Sequence, residues 1–252
     1  MTARDLEGRV AVVTGGTRGI GRAISLHLAA RGANVVACFF RNRAAAEETC
    51  AQIEEHGVKA RAIKAHVGDP ERVSALFDEV GEAFGRVDVL VSNAATGVIK
   101  PLPELDLRAW TWTMDANARA LYLAALAARP LMVAGSSIVA LSSGGATRVL
   151  PGYSVVGTSK AAIEALVRYI AVEFAPFGIR ANAVSPGVVD TEALAHFPMR
   201  AEMLERARKT TPAGRLVTPD DVARVVGFLV SADAAMITGQ TIVVDGGAGL
   251  LA

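Results

Sequence analysis

The sequence predicts an α/β fold built on a doubly wound parallel sheet, on three observations. Strand-like and helix-like segments alternate along all 252 residues. The strand-like segments are unbroken Val/Ile/Ala/Leu runs rather than apolar/polar alternations, the pattern of strands covered by helices on both faces. A glycine-rich turn joins the first such strand directly to the first helix. No linker or repeat divides the chain, so residues 1–252 read as one domain.

The elements follow in order. Residues 10–13 form a β-branched run ending at the glycine turn, and residues 19–31 a helix with Ile20, Ala23, Ile24, His27 and Leu28 on one stripe, closed by Gly32. Residues 34–40 are a second strand and 44–56 a second helix ending at Gly57. Residues 59–67 are a third strand, and 70–84 a helix opened by Pro70. The fourth strand is 87–91, two helices follow over about 104–115 and 116–133, and the fifth strand is 137–141. A long helix over about 154–175 precedes a sixth strand, 180–184. Residues 191–210 read as a helical excursion, 218–230 as a further helix and 240–244 as the last strand.

Composition narrows the function classes. A content of 52% apolar and 20% charged residues excludes a disordered chain and suits a large core. A net charge of +1 removes the electrostatic case for nucleic-acid binding. No run reaches the ~18 apolar residues of a membrane span, and the best stops at Arg129-Pro130. The first seven residues lack the apolar core of a signal peptide, so a cytoplasmic protein is expected. Cys38 and Cys50 make neither a disulfide framework nor a metal site, and no His/Cys/Asp cluster has metal-ligand spacing.

The chemistry begins at Thr14-Gly15-Gly16-Thr17-Arg18-Gly19-Ile20-Gly21. Glycines at 15, 19 and 21 permit a tight turn and close approach of a pyrophosphate, and the helix N-terminus offers free N–H groups to an anion. This is the Rossmann-type context for a dinucleotide. An NAD site carries an acid about 20 residues further on for the ribose hydroxyls. Here no Asp or Glu stands between Glu7 and Glu47, while Arg18, Arg41 and Arg43 do. Cations there suit a 2′-phosphate, so the expected cofactor is NADPH; Arg41 and Arg43 read otherwise as solvated helix-start residues.

With these residues in place, the chain resembles the short-chain dehydrogenase/reductase family over essentially its whole length. The resemblance is carried by the glycine loop, Ser92-Asn93-Ala94-Ala95, Asn117, Ser142-Ser143, Pro186-Gly187 with Thr191, and Val244-Asp245-Gly246-Gly247. It places Gly15, Thr17, Arg18, Gly19, Ile20, Gly21, Arg41, Val67, Asn93, Ala94, Lys160, Pro186, Gly187, Val189 and Thr191 at the cofactor. His66, beside Val67, falls where family members often place a side chain near the adenine, or is structural.

One position breaks the family's pattern. Its catalytic tyrosine lies four residues before its lysine, but four before Lys160 stands Val156, and Tyr153 lies seven before. This Tyr-six-Lys spacing is similar to the enoyl-acyl-carrier-protein reductase branch, and further stretches resemble the NADPH-using type III subgroup. The sequence departs from it at Pro186, Asp115 and Ala116. The resemblance implies reduction of a 2-enoyl thioester carried by acyl carrier protein or coenzyme A, in fatty-acid biosynthesis or a specialised pathway. It also implies a homotetramer, to which the Ala- and Leu-rich helices near 104–133 and 154–175 lend themselves as interfaces. The same-fold alternative is a carbonyl reductase with a displaced tyrosine; a third reading is a catalytically silent dinucleotide-binding protein.

Seven helical residues turn about 700°, so Tyr153 and Lys160 can share a helix face about 10.5 Å apart along the axis. In enoyl reduction the hydride lands on Cβ and charge develops on the thioester oxygen three bonds away, which suits a phenol further from the nicotinamide. Tyr153 is then expected to stabilise the enolate oxygen, and Lys160 to hold the ribose and lower the phenol's pKa from about 10. Tyr153 reads otherwise as a capping surface aromatic. Ser143 fits the family's serine or a strand-end turn, and Asn117 a water-holding site or an Asn bonded to nearby backbone. Residues 190–212 are expected to form a small apolar substrate lid, in which His196 reads as a packed or exposed residue rather than a catalyst.

Overall fold

The computed structural model describes residues 4–192, 194 and 200–250. The described elements are β1 Val10–Thr14, α1 Gly19–Ala30, β2 Asn34–Phe39, α2 Arg43–Glu54, β3 Ala60–Lys64, α3 Pro70–Phe84, β4 Val87–Ser92, α4 Leu107–Met114, α5 Ala120–Ala128, β5 Met132–Leu141, α6 Ser154–Glu173, β6 Arg180–Pro186, α7 Arg200–Thr210, α8 Pro219–Val230 and β7 Thr241–Val244. The strands form one seven-stranded sheet in the order β3-β2-β1-β4-β5-β6-β7, and every neighbouring pair is parallel. The order reverses at β1, which pairs β2 on one side and β4 on the other. A crevice at the carboxyl ends of strands is expected at such a switch point.

The unbroken apolar strands divide their side chains between two cores, because successive residues of a strand face opposite ways. Val12, Leu90 and Ile138 pack with Leu76 and Phe77 of α3, Leu121 of α5 and Val167 of α6. Ala11, Val13, Val91 and Val139 pack with Ile24 and Leu28 of α1 and Val222 and Val226 of α8. A fully buried side chain such as Leu90 contributes about 2 kcal/mol of hydrophobic stabilisation. The helices obey local rules. Asp69 caps α3, Pro70 opens it, and Val73, Leu76, Phe77 and Val80 form its buried stripe. Gly85, at φ 71°, ends it in a conformation that a Cβ disfavours.

Several boundaries differ from the sequence expectation. The third strand stops at Lys64 rather than 67, as an edge strand with Arg61 and Lys64 exposed. The helix expected to run to 133 ends at Ala128, where Arg129–Leu131 make a 3₁₀ turn containing Pro130. Pro130 cannot continue the helical ladder, and the fifth strand begins five residues early, at Met132. The two helices before it are joined by a π-helical turn, Asp115–Arg119, that contains Asn117. In the expected lid, α7 is seen, whereas Ala193 and 195–199, with His196, lie outside the described residues.

Candidate active site

The glycine turn closes at the end of β1. Gly15 and Gly19 have φ of 63° and 50°, in the left-handed region. A Cβ on Gly21 would lie 2.1 Å from the Gly15 carbonyl oxygen, so only glycine allows the turn to fold back on the first turn of α1. Ser25 Oγ donates to the Gly16 carbonyl at 2.9 Å and Thr49 Oγ1 to that of Thr17 at 3.2 Å, fixing the loop to both flanking helices. Arg18 is the N-cap of α1 and supplies no side-chain acceptor, and the first turn holds no acid. The N–H groups there are left for an anion, and the dipole favours one.

Across the switch point, the Asn93 amide donates to the carbonyls of Thr14 at 2.9 Å and Gly15 at 3.2 Å. The backbone N–H groups of Asn93 and Ala94 donate to Thr14 Oγ1. Asn93 and Ala94 thus line the glycine turn from β4. Thr14 opens the glycine motif but was not among the residues expected at the cofactor; its polarity at the end of an otherwise apolar strand was the available signal. From β6, Pro186 ends the strand, Gly187 N donates to the Val244 carbonyl at 2.9 Å, and Val189 bridges to Val217. A Cβ on Gly19 would lie 3.5 Å from Thr191 Cγ2, so Thr191 stands over the glycine turn. Ile20 packs against the α1/α8 core and Val67 against the opposite one.

The end of β2 leads into Phe40 and Arg41. The Arg41 guanidinium lies 5.4 Å over the Phe40 ring, whose centroid is 4.8 Å from that of His66. Among the described residues Arg41 pairs with no carboxylate, whereas Arg18 lies 3.6 Å from Glu192 and Arg43 3.8 Å from Glu47. The expected cofactor residues therefore gather along the carboxyl edge of β1, β2, β4 and β6, with Val67 just beyond β3.

The residues expected at the reacting centre gather around the start of α6. Tyr153 is the N-cap of that helix, not part of it, with φ −96° and ψ 11°. The two-turn helical arithmetic therefore does not set its position. The ring lies against two glycines: a Cβ on Gly145 would lie 2.5 Å from Tyr153 Cδ1, and one on Gly157 3.7 Å from it. The phenol oxygen is 3.4 Å from Ser143 Oγ. Burial pushes the Tyr153 phenol up, and the Ser143 hydrogen bond only partly offsets it. The expectation that Lys160 draws this phenol down is corrected: burial dominates, and the phenol keeps its proton at neutral pH.

Lys160 is buried and donates to the Leu141 carbonyl at 2.7 Å. Burial brings its pKa down to about 8. Val156, at the position four before the lysine, is also buried, and a Cβ on Gly97 would lie 2.2 Å from its Cγ2. Asn117 is held in the π turn, a feature frequent at functional sites. Its Oδ1 accepts from Thr96 N at 2.9 Å, and its Nδ2 donates to the Thr96 carbonyl at 2.9 Å and to Ser159 Oγ at 2.8 Å. The side chain is thus a latch on the loop after β4. Lys100 N donates to the Gly152 carbonyl at 2.8 Å, tying the same loop to the turn that carries Tyr153. The roles of Gly97, Gly145, Gly157 and Ser159 were missed in the sequence; the only local signal was the small-residue runs at 144–146 and 157–159.

A family model described as Enoyl-(Acyl carrier protein) reductase matches residues 15–249. The chain belongs to the short-chain dehydrogenase/reductase family. This short-chain dehydrogenase/reductase is 43% identical to the 1-cyclohexenylcarbonyl-CoA reductase of Streptomyces collinus, over 97% of its own length and 88% of that protein's. It is 36% identical to a hydroxynaphthalene reductase-like protein of Metarhizium robertsii, over 98% of its own length and 97% of that protein's. Among solved structures it superposes on a short chain dehydrogenase from Burkholderia cenocepacia in complex with NADP. The TM-score there is 0.91 at 37% identity, covering 97% of this chain and 99% of that one. A blue fluorescent protein from a metagenomic library, in complex with NADPH, gives 0.90 at 34% identity, covering 96% and 98%. Seven parallel strands and the oxidoreductase family agree with the sequence reading.

Proposed function

We propose that this protein reduces the C=C bond of a 2-enoyl thioester with NADPH. The observation that carries the reading is the phenol of Tyr153, beside Ser143, with buried Val156 at the position four before Lys160. The 43% identity to a 1-cyclohexenylcarbonyl-CoA reductase supports the thioester class and favours coenzyme A as the carrier.

The residues fit the cofactor. The turn that only glycine at 21 permits would take the pyrophosphate at the N-terminus of α1. Arg41, which pairs with no carboxylate among the described residues, would meet a 2′-phosphate, and Arg18 would join it by turning from Glu192, 3.6 Å away. Two related structures hold NADP or NADPH, in line with that choice. Asn93, Ala94, Pro186, Gly187, Val189 and Thr191 would line the nicotinamide half, and Lys160 would hold its ribose. When bound, NADPH supplies the hydride that the enoyl Cβ accepts.

The chain's own residues manage the charge that this produces. As Cβ accepts the hydride, negative charge develops on the thioester oxygen. Tyr153, kept protonated by burial, donates a hydrogen bond there, an oxyanion-type stabilisation, and the enolate then takes a proton from water at Cα to give the saturated thioester. Ser143 orients the phenol or joins it as a second donor. Val156 carries no proton, so the position four before Lys160 supplies no donor.

A second reading, carbonyl reduction, is favoured by the retained Ser143–Tyr153 contact and by the hydroxynaphthalene reductase-like relative. NADPH consumption with crotonyl-CoA and cyclohexenylcarbonyl-CoA, against a 3-oxoacyl-CoA, separates the two. Turnover of the enoyl thioesters alone supports the proposal, and turnover of the 3-oxo thioester alone overturns it.

The site and its lid belong to one domain in this reading, acting in the cytoplasm in fatty-acid or specialised acyl metabolism. Trp112, Tyr122 and Leu126 of the α4–α5 segment and Tyr169 and Val172 of α6 are exposed apolar groups. They support the proposed homotetramer, which sedimentation at micromolar concentration tests.

A further inference from the structure

We infer that Gly145 is a positioning residue for the reaction: with Gly157 it forms a slot that seats the Tyr153 ring at the thioester oxygen. This deepens the proposed enoyl reduction and rests on that reading. Tyr153 is the N-cap of the helix that carries Lys160, with its carbonyl accepting from Gly157 N at 2.7 Å, so its phenol does not follow the helical repeat. Something else must hold the ring, because the extra reach gained by its displacement is useful only with a fixed hydroxyl.

The turn after β5 provides this. Gly144–Ala146 is a 3₁₀ turn packed on the start of α6. An added Cβ on Gly145 would meet Tyr153 Cδ1 at 2.5 Å and Cε1 at 2.6 Å, with Gly157 Cα next at 3.5 Å. A Cβ on Gly157 would meet the Gly145 carbonyl oxygen at 2.6 Å and Tyr153 Cδ1 at 3.7 Å. The bare Cα of Gly145 thus leaves room for the ring, and that of Gly157 leaves room for the Gly145 carbonyl behind it. The neighbouring Gly144 has open space where its Cβ would be. Neither Gly144 nor Gly145 has positive φ, so the backbone accepts alanine at both. The requirement for glycine at 145 is therefore contact with the ring and not conformation.

The turn links the slot to the hydroxyl as well. Ser143, which precedes it, contacts the phenol oxygen at 3.4 Å. One short turn thus touches both the face of the ring and its hydroxyl. An alanine at 145 must move the ring by roughly 1 Å to reach ordinary contact distance, a misplacement of the size that costs about 100-fold in rate.

The test compares Gly145→Ala and Gly144→Ala in the unmodified and Tyr153→Phe backgrounds, with crotonyl-CoA as substrate. Gly145→Ala is expected to lower kcat about 100-fold with KM and NADPH affinity within threefold, and Gly144→Ala to leave both unchanged. In the Tyr153→Phe background Gly145→Ala is expected to cost less than threefold, because the hydroxyl it misplaces is gone. A loss under threefold in the unmodified protein, or an equal loss in both backgrounds, overturns the inference. Absorbance titration of the tyrosines reads the slot without turnover. Shifting the ring against its neighbours is expected to move the Tyr153 phenol titration in Gly145→Ala and not in Gly144→Ala, and an unmoved titration counts against the slot. Should Gly145→Ala fail to fold, Gly145→Ala/Tyr153→Ala, which lacks the opposing ring, is expected to fold; its failure also overturns the inference. If instead Tyr153→Phe keeps full activity, the enoyl-reductase role of the phenol falls, while the titration still decides whether the slot holds the ring.

Discussion

Replacing Tyr153 by phenylalanine separates the phenol's chemistry from the packing of its ring. The ring contacts are made by Cδ1 and Cε1 against Gly145 and Gly157, and phenylalanine keeps these atoms. What is lost is the hydroxyl, whose contact with Ser143 at 3.4 Å is at the outer limit of a hydrogen bond. Losing that one long contact should by itself cost about 0.5 kcal/mol of stability or less. In the transition state the same hydroxyl faces developing negative charge in a buried site, where one oxyanion donor is worth about 3–4 kcal/mol, or 100- to 1000-fold in kcat. Tyr153→Phe should therefore keep its Tm within a few degrees and its NADPH affinity within twofold, and lose at least 100-fold in turnover. The assay is steady-state NADPH consumption with crotonyl-CoA beside NADPH binding by fluorescence. A kcat within threefold of the unmodified protein refutes the role given to the phenol. So does a loss of turnover matched by an equal loss of cofactor affinity, since that points to a damaged fold.

Three further outcomes are expected. Lys160, with its pKa brought down to about 8, loses its proton earlier in the folded protein than in the unfolded one. Its hold on the ribose should weaken as pH rises through about 8, raising the NADPH Kd, while its burial penalty on folding shrinks from about 8 toward 10.5; Lys160→Met should flatten both slopes. NADPH should bind at least tenfold more tightly than NADH, about 1.4 kcal/mol, and Arg41→Ala should shrink that preference; equal affinities in the unmodified protein would contradict the 2′-phosphate site. Asn117→Ala removes the acceptor for Thr96 N and the donors to the Thr96 carbonyl and Ser159 Oγ. It should cost about 3 kcal/mol by denaturant midpoint at an unchanged slope, and a change under 1 kcal/mol would mean that the latch carries little.

The order of strands and helices, the doubly wound class and the glycine turn were determined by the sequence alone, because each is written in local patterns. An apolar run of four residues such as 10–13 must be covered on both faces, and a helix such as Pro70–Phe84 carries its own cap, stripe and terminating glycine. The family and the displaced tyrosine were likewise visible as motifs and a spacing. Boundaries were less so: Pro130 marks a helix end, but the early start of β5 depends on pairing with Val87 across the sheet. What the phenol touches was decided only by the tertiary structure. Helical arithmetic allowed Tyr153 and Lys160 to share one face, yet Tyr153 stands at the cap and its ring lies against Gly145 of a separate turn as well as Gly157 of the helix. The protonation of both groups was hidden for the same reason. Burial raises the phenol and lowers the lysine, and burial is a property of everything packed around a group, most of it distant in the chain. Asn117 shows the difference at one residue: the sequence allowed either a water site or a backbone bond, and the approach of Thr96 and Ser159, 21 and 42 residues away, is what occupies its amide.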